Sequence, residues 1–138
     1  MTPPPLDPGT PCPCGRPATY DACCGRIHRG DAPATTAEAL MRSRYSAFAV
    51  GDMAYLAHSW HPDTTPRRIH DDPTRRWTRL DVLATTGGGM LDQEGTVEFE
   101  AHHTGGSEDD DPTADHVVHE ISTFTRHDGR WVYVGRRP

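Results

Sequence analysis

The chain has 138 residues, a net charge of −6 with its histidines neutral, and 34% hydrophobic residues. That length fits one domain with a small appendage and can bury a proper core. The negative balance argues against general nucleic-acid binding, and no apolar run approaches the roughly 18 residues that cross a bilayer.

Charge is unevenly placed. From Arg42 to Arg79 there are seven arginines against four acids, and from Leu80 to Asp128 twelve acids against one arginine, Arg126. All 14 basic residues are arginine, so lysine-based covalent chemistry is excluded. Residues 1–11 are proline-rich and read as a loose tail. The start, Met1-Thr2-Pro3-Pro4-Pro5, has neither the basic residues nor the apolar stretch of a secretory leader, so a cytoplasmic setting is expected.

Cys12-Pro13-Cys14, eight further residues, and Cys23-Cys24 hold every cysteine of the chain. A disulfide framework would spread its thiols across the loops. Thiols converging on one spot suit a single tetrahedral ion, and Zn²⁺ takes four such ligands at about 2.3 Å. The expected cofactor is one structural Zn²⁺ per chain, held by Cys12, Cys14, Cys23 and Cys24. His28 is the alternative fourth ligand. The competing reading is disulfides, which need strained short rings or cross-pairing in an oxidising compartment. Gly15 and Gly25, one after each pair, are expected at φ > 0, turning the backbone back toward the sulfurs.

Ala37 to Val50 reads as a helix. Thr35 or Thr36 offers a cap and Glu38 sits in the first turn, while Leu40, Met41, Arg44, Tyr45, Phe48 and Ala49 form one stripe. Gly51 ends it, and Asp52 caps a shorter helix from Met53 to His58 or Trp60. Pro66 and Pro73 frame a possible third helix. Trp77 to Thr86 reads as a strand broken by Gly87-Gly88-Gly89. Gly95 to His103 alternates, with Val97, Phe99 and Ala101 on one face. After an acidic loop, His116–His127 and Arg130–Arg136 form a hairpin about Asp128-Gly129. That turn sets His127 opposite Arg130, Arg126 opposite Trp131 and Phe124 opposite Tyr133, and puts Glu120, Ser122, Phe124, Arg126, Trp131 and Tyr133 on one face. Helices followed by an antiparallel sheet mean α+β, with a cavity where the long helix meets the curved sheet.

The run Cys12-Pro13-Cys14-Gly15, Tyr20 and Cys23-Cys24-Gly25 resembles the SEC-C zinc motif. Arg42-Ser43-Arg44-Tyr45-Ser46-Ala47-Phe48, Trp60-His61-Pro62, Gly95-Thr96-Val97-Glu98-Phe99 and Asp128-Gly129-Arg130-Trp131 resemble the YchJ-like proteins of bacteria, over nearly the whole chain. The resemblance implies a nuclear-transport-factor-2-like fold: helices in a cone over a curved antiparallel sheet with a central pocket. It divides the chain into tail and zinc knuckle, residues 1–30, and an α+β domain, residues 31–138. It also implies that the knuckle docks another protein, as SEC-C motifs do at the tail of the SecA translocation motor.

The pocket candidates are Arg44, Tyr45, His58, Trp60, Glu120 and Ser122. Arg44 on an apolar stripe is expected to satisfy a buried acceptor, with Glu120 the first candidate. Glu120 on an aromatic face could instead be a general base if burial raises its pKa. Two functions follow. One is a zinc-stabilised adaptor or binding domain with a possible small ligand; four thiolates leave zinc no open position, so the ion is structural. The other is a small pocket enzyme using Glu120 or a histidine in acid–base chemistry on an apolar substrate. Zinc removal is expected to loosen residues 12–30 and leave the domain from Ala37 folded.

Overall fold

A computed structural model describes residues 9–70, 72–106, 111 and 113–137. The order is α1 (Cys24–His28), α2 (Ala37–Val50), α3 (Met53–His58), β1 (Arg76–Gly87), β2 (Glu94–Thr104), β3 (Asp115–His127) and β4 (Arg130–Arg136). The four strands form one antiparallel meander, β1-β2-β3-β4. Register shifts at Trp77/Arg79, Val82/Ala84 and Thr123/Phe124 mark bulges, which bend strands and curve a sheet around what packs on it. The last hairpin pairs Phe124 with Tyr133, Arg126 with Trp131 and His127 with Arg130, the register set by its two-residue turn. Asp128 and Gly129 sit at φ 53° and 82°, both left-handed as such a turn requires.

α2 begins where Thr36 accepts a hydrogen bond from the Ala39 amide at 3.0 Å and ends at Gly51, φ 77°. Its start is seated on the sheet by two contacts. The Ala37 amide donates to the Gly88 carbonyl at 2.9 Å, and the Trp131 indole donates to the Thr35 carbonyl at 3.2 Å. Leu40, Met41 and Tyr45 pack on Leu80, Val97, Phe99, Ala101, Phe124 and Trp131 to make the main core. The free edge of β4 is covered by residues 59–61: Tyr133 N donates to Ser59 O and His61 N to Tyr133 O, both at 2.8 Å. Covering an edge this way removes a template for further strand pairing.

Three expectations need correction. Among the described residues, the stretch between Pro66 and Pro73 holds no helix; it is Arg-, Asp- and Pro-rich and has no apolar periodicity to bury. Ala49, placed on the stripe, is exposed, whereas Ser43, Ser46 and Ala47 are fully buried. The reason is that α2 is covered on a second side by α3, α1 and the cysteine loop: Ala47 packs on Tyr55 and Leu56, Ser43 meets Tyr55, and Ser46 meets Cys12. Gly25 has no positive φ; it lies in α1, and a Cβ there would sit 2.7 Å from the Tyr20 carbonyl oxygen. Close approach, not backbone handedness, requires that glycine. No helix of the described residues is long and apolar enough to cross a membrane.

Candidate metal centre and cavity

Two short segments deliver the thiols. Cys12 and Cys14 lie on a loop whose hydrogen bonds, Cys12 N to Ala18 O at 2.9 Å and Gly15 N to Cys12 O at 3.2 Å, fold it back on itself, with Gly15 at φ 91°. Cys23 and Cys24 lie at the start of α1. Cys23, with φ −120° and ψ −108°, bends the backbone so that adjacent thiols reach the same point. The four sulfurs all lie within 4.8 Å of one another, and Cys14 and Cys23 are 3.7 Å apart. Tetrahedral ligation at about 2.3 Å separates sulfurs by about 3.8 Å, so the residues fit a zinc-sized ion. Cys12, Cys14 and Cys24 are buried, the first against the Ser46 hydroxyl at 3.7 Å.

The thiols crowd one another electrically. Hydrogen bonds from Cys14 and Cys24 hold the Cys12 thiol far below its ordinary value. Donation to Cys12 and burial push Cys24 far up, and burial pushes Cys23 up to about 11. A metal takes thiols in their deprotonated form, so an ion bound by these four sulfurs displaces their protons. His28 is not grouped with it. Its Nε2 donates to the Ser43 carbonyl at 2.8 Å, and its Nδ1 accepts from the Tyr20 hydroxyl at 2.6 Å. Burial lowers the pKa of this ring, which suits the neutral tautomer.

Among the described residues the knuckle is joined to α2 by Cys12 to Ser46, by His28 to Ser43, by Arg42, whose Nη1 donates to the Cys14 carbonyl at 2.7 Å, and by the Arg16–Glu38 ion pair at 3.6 Å. On its other side α2 roofs a cavity of about 200 Å³. Arg44, Tyr45, Trp60, Glu120 and Ser122 line that cavity together. His58 does not; it is exposed, and it borders a separate hollow with Ile27, Tyr55 and Arg130. His102 and His103 point to opposite faces of β2, so the pair offers no joint site.

The expected Arg44–Glu120 pair is absent. Arg44 Nη1 donates instead to Ser59 Oγ at 2.7 Å and to the Leu56 carbonyl at 3.0 Å. Its guanidinium carbon lies 4.8 Å from the Trp60 ring centroid and 4.5 Å from that of Tyr133. Burial brings its pKa down to about 10, which still leaves it a cation at neutral pH. Glu120 is held by Ser122 Oγ, by the Tyr133 hydroxyl at 3.1 Å and by Arg136 Nε at 3.4 Å. The Tyr133 ring, stacked on Arg44 and bonded to Glu120, keeps the two charges apart. Sequence reasoning missed Ser59 and gave Tyr133 no role beyond the aromatic face; a serine after a short helix carries no signal that an arginine fifteen residues earlier ends on it.

Residues 36–135 match the family model described as YchJ, middle NTF2-like domain. A UPF0225 protein of Streptomyces coelicolor is 52% identical over 126 residues, which cover 91% of this chain and 94% of that one. A UPF0225 protein of Corynebacterium efficiens is 47% identical, covering 94% of both. Among solved structures, the SEC-C motif containing protein RPA3114 of Rhodopseudomonas palustris superposes with a TM-score of 0.76 at 32% identity, over 91% of this chain and 96% of that chain. A SEC-C motif containing protein from Psychrobacter arcticus gives 0.66 at 25% identity, over 92% and 80%. The cysteine cluster, the helices on a four-stranded antiparallel sheet and these matches agree: the chain belongs to the UPF0225, or YchJ-like, family.

Proposed function

We propose that this chain is a cytoplasmic binding domain with one structural Zn²⁺, in which α2 is shared by the zinc knuckle and a ligand cavity. The observation that carries the reading is the state of its reactive groups. All four ligands of the cluster are cysteines, which leaves no open position for an activated water. The carboxylate of the cavity is tied to Ser122, Tyr133 and Arg136 rather than free to move protons. The knuckle's outer surface, with Arg16 and Arg26 exposed, docks an acidic segment of another protein. Protein purified without chelator should contain about one zinc per chain. An acidic partner captured by the wild type should be lost with Arg16→Glu/Arg26→Glu at unchanged zinc content. Zinc-free protein, or four thiols titrating freely, would overturn the reading.

The pocket-enzyme alternative draws on one feature, the placement of Glu120 in a largely apolar cavity. Its mark would be turnover abolished by Glu120→Gln with ligand binding intact.

A further inference from the structure

We propose that the cavity beneath α2 takes a small apolar monocarboxylate, whose carboxylate pairs in plane with the free edge of the Arg44 guanidinium. The inference rests on the reading of the chain as a binding domain and names the class of ligand. Arg44 is only 6% exposed, and no carboxylate lies within 4.0 Å of it among the described residues. An arginine so buried is normally paired, because removing its charge from water is costly unless an anion offsets it. Here two neutral oxygens bind one nitrogen, Nη1, while Nε and Nη2 make no hydrogen bond among the described residues. The rings of Trp60 and Tyr133 lie over the guanidinium carbon and meet at 71°. Their centroids are 5.1 Å apart, so both rings lie toward one side of the guanidinium, and the edge formed by Nε and Nη2 is left for a further partner, which a carboxylate fits bidentately.

A second, separate feature points the same way. The indole Nε1–H of Trp60, another residue of the cavity wall, is buried without an acceptor among the described residues. Buried donors of native proteins nearly always have a partner, and here the indole N–H of one wall residue and two nitrogens of another, Arg44, have no acceptor among the described residues. Glu120 acts on the Arg44 charge only from a distance, since its two oxygens are engaged by Ser122, Tyr133 and Arg136. Its presence in the wall also disfavours a second negative group on the ligand. The rest of the lining is Met41, Phe48, Phe99, Ala101, Val118 and Phe124, which suits a hydrocarbon or aryl body. At roughly 30 Å³ per water, about 200 Å³ equals about seven waters, room for a ligand of roughly ten non-hydrogen atoms.

Phenylacetate is a suitable probe, with phenylacetamide as its neutral isostere. The zinc-loaded full chain is titrated with each while the amide and indole N–H signals are followed by nuclear magnetic resonance. Phenylacetate should move the Trp60 indole signal and bind at least tenfold tighter than phenylacetamide. Arg44→Met should abolish that preference. Because Arg44→Met also removes contacts that hold the fold, Ala101→Leu serves as a second: it fills the cavity without touching a charge and should remove phenylacetate binding from a folded, zinc-loaded chain. Equal affinity for acid and amide, no binding of phenylacetate up to millimolar concentration, or binding that survives Ala101→Leu would each overturn the assignment. Zinc content measured on the same sample separates the two readings: a zinc-loaded chain that ignores phenylacetate sinks the carboxylate and leaves the binding-domain reading standing.

Discussion

The face of α2 turned to the sheet carries Leu40, Met41 and Tyr45, whereas the face turned to the knuckle carries Ser43, Ser46 and Arg42. The first is held by burial of apolar area, which needs no precise partner. The second is held by hydrogen bonds to atoms whose positions depend on four thiols meeting at one point. Both serines have zero exposure, but only the Ser46 hydroxyl meets a knuckle thiol; that of Ser43 bonds the Leu40 carbonyl and the Tyr55 hydroxyl, and the knuckle reaches Ser43 through its backbone carbonyl. The same helix therefore has one side that is robust to change and one that is conditional on the metal.

Removing the metal should have the largest effect, because zinc binding supplies on the order of 10 kcal/mol in small zinc domains. Chelation should abolish hydrogen-exchange protection in residues 12–30 and also lower it in the Ser43–Ala47 turn of α2, while β2 and β3 stay protected. Loss confined to residues 12–30 would show that the two faces are energetically independent.

The sheet-facing side should break by steric insult instead. Gly88 and Gly95 let the start of α2 and the first hairpin approach closely, and a Cβ on Gly95 would lie 2.5 Å from Gly88 Cα. Gly95→Ala should cost about 3 kcal/mol, the upper end for an added methyl in a packed core. An unchanged denaturation midpoint would mean that the hairpin relaxes freely and that the seating of α2 is loose.

Arg44 belongs to the robust face but is itself polar, so its removal sharpens the contrast. Arg44→Met takes a charged donor from Ser59 Oγ and the Leu56 carbonyl and relieves the burial of a cation. The balance should be a loss of about 1–2 kcal/mol, against no more than about 0.5 for exposed Arg68→Met. Side-by-side urea midpoints decide. A stabilised Arg44→Met would show that the buried cation is retained for a ligand at the expense of stability.

How far these features could be read beforehand follows the range of the interactions. The α2 boundaries, the alternation of Val97, Phe99 and Ala101, and the register about Asp128-Gly129 rest on local signals: a cap, a period, a turn type. The cysteine spacing was legible for the same reason, since four ligands of one ion must lie close in space. The burial of Ser43 and Ser46 was not, because a serine on a helix says nothing about the polar loop that will cover it. Nor was the partner of Arg44: complementary charge pointed to Glu120, while the fold placed the Tyr133 ring between them.

The smallest expected effect lies at the far end of the sheet-facing side, where His103 interrupts the apolar row of β2. It is 7% exposed, stacks on His116 with ring centroids 5.1 Å apart, and has a buried Nδ1 without a partner among the described residues. Burial, then the charge of Arg75 and the neighbouring His116, lowers its pKa below the ordinary 6.5. The unfolded chain therefore binds this proton more readily than the folded one between the folded-state pKa and 6.5. Stability from His103 is full above about pH 6.5 and declines as pH falls through that window. His103→Gln removes this titration and no other, so the midpoint difference between wild type and variant should shift against the wild type from about pH 7.5 to about pH 5.5. A difference that stays constant would show that His103 protonates freely in the folded chain and that water reaches this end of the sheet face, so the robust side of the comparison would end nearer to Trp77 than the burial pattern indicates.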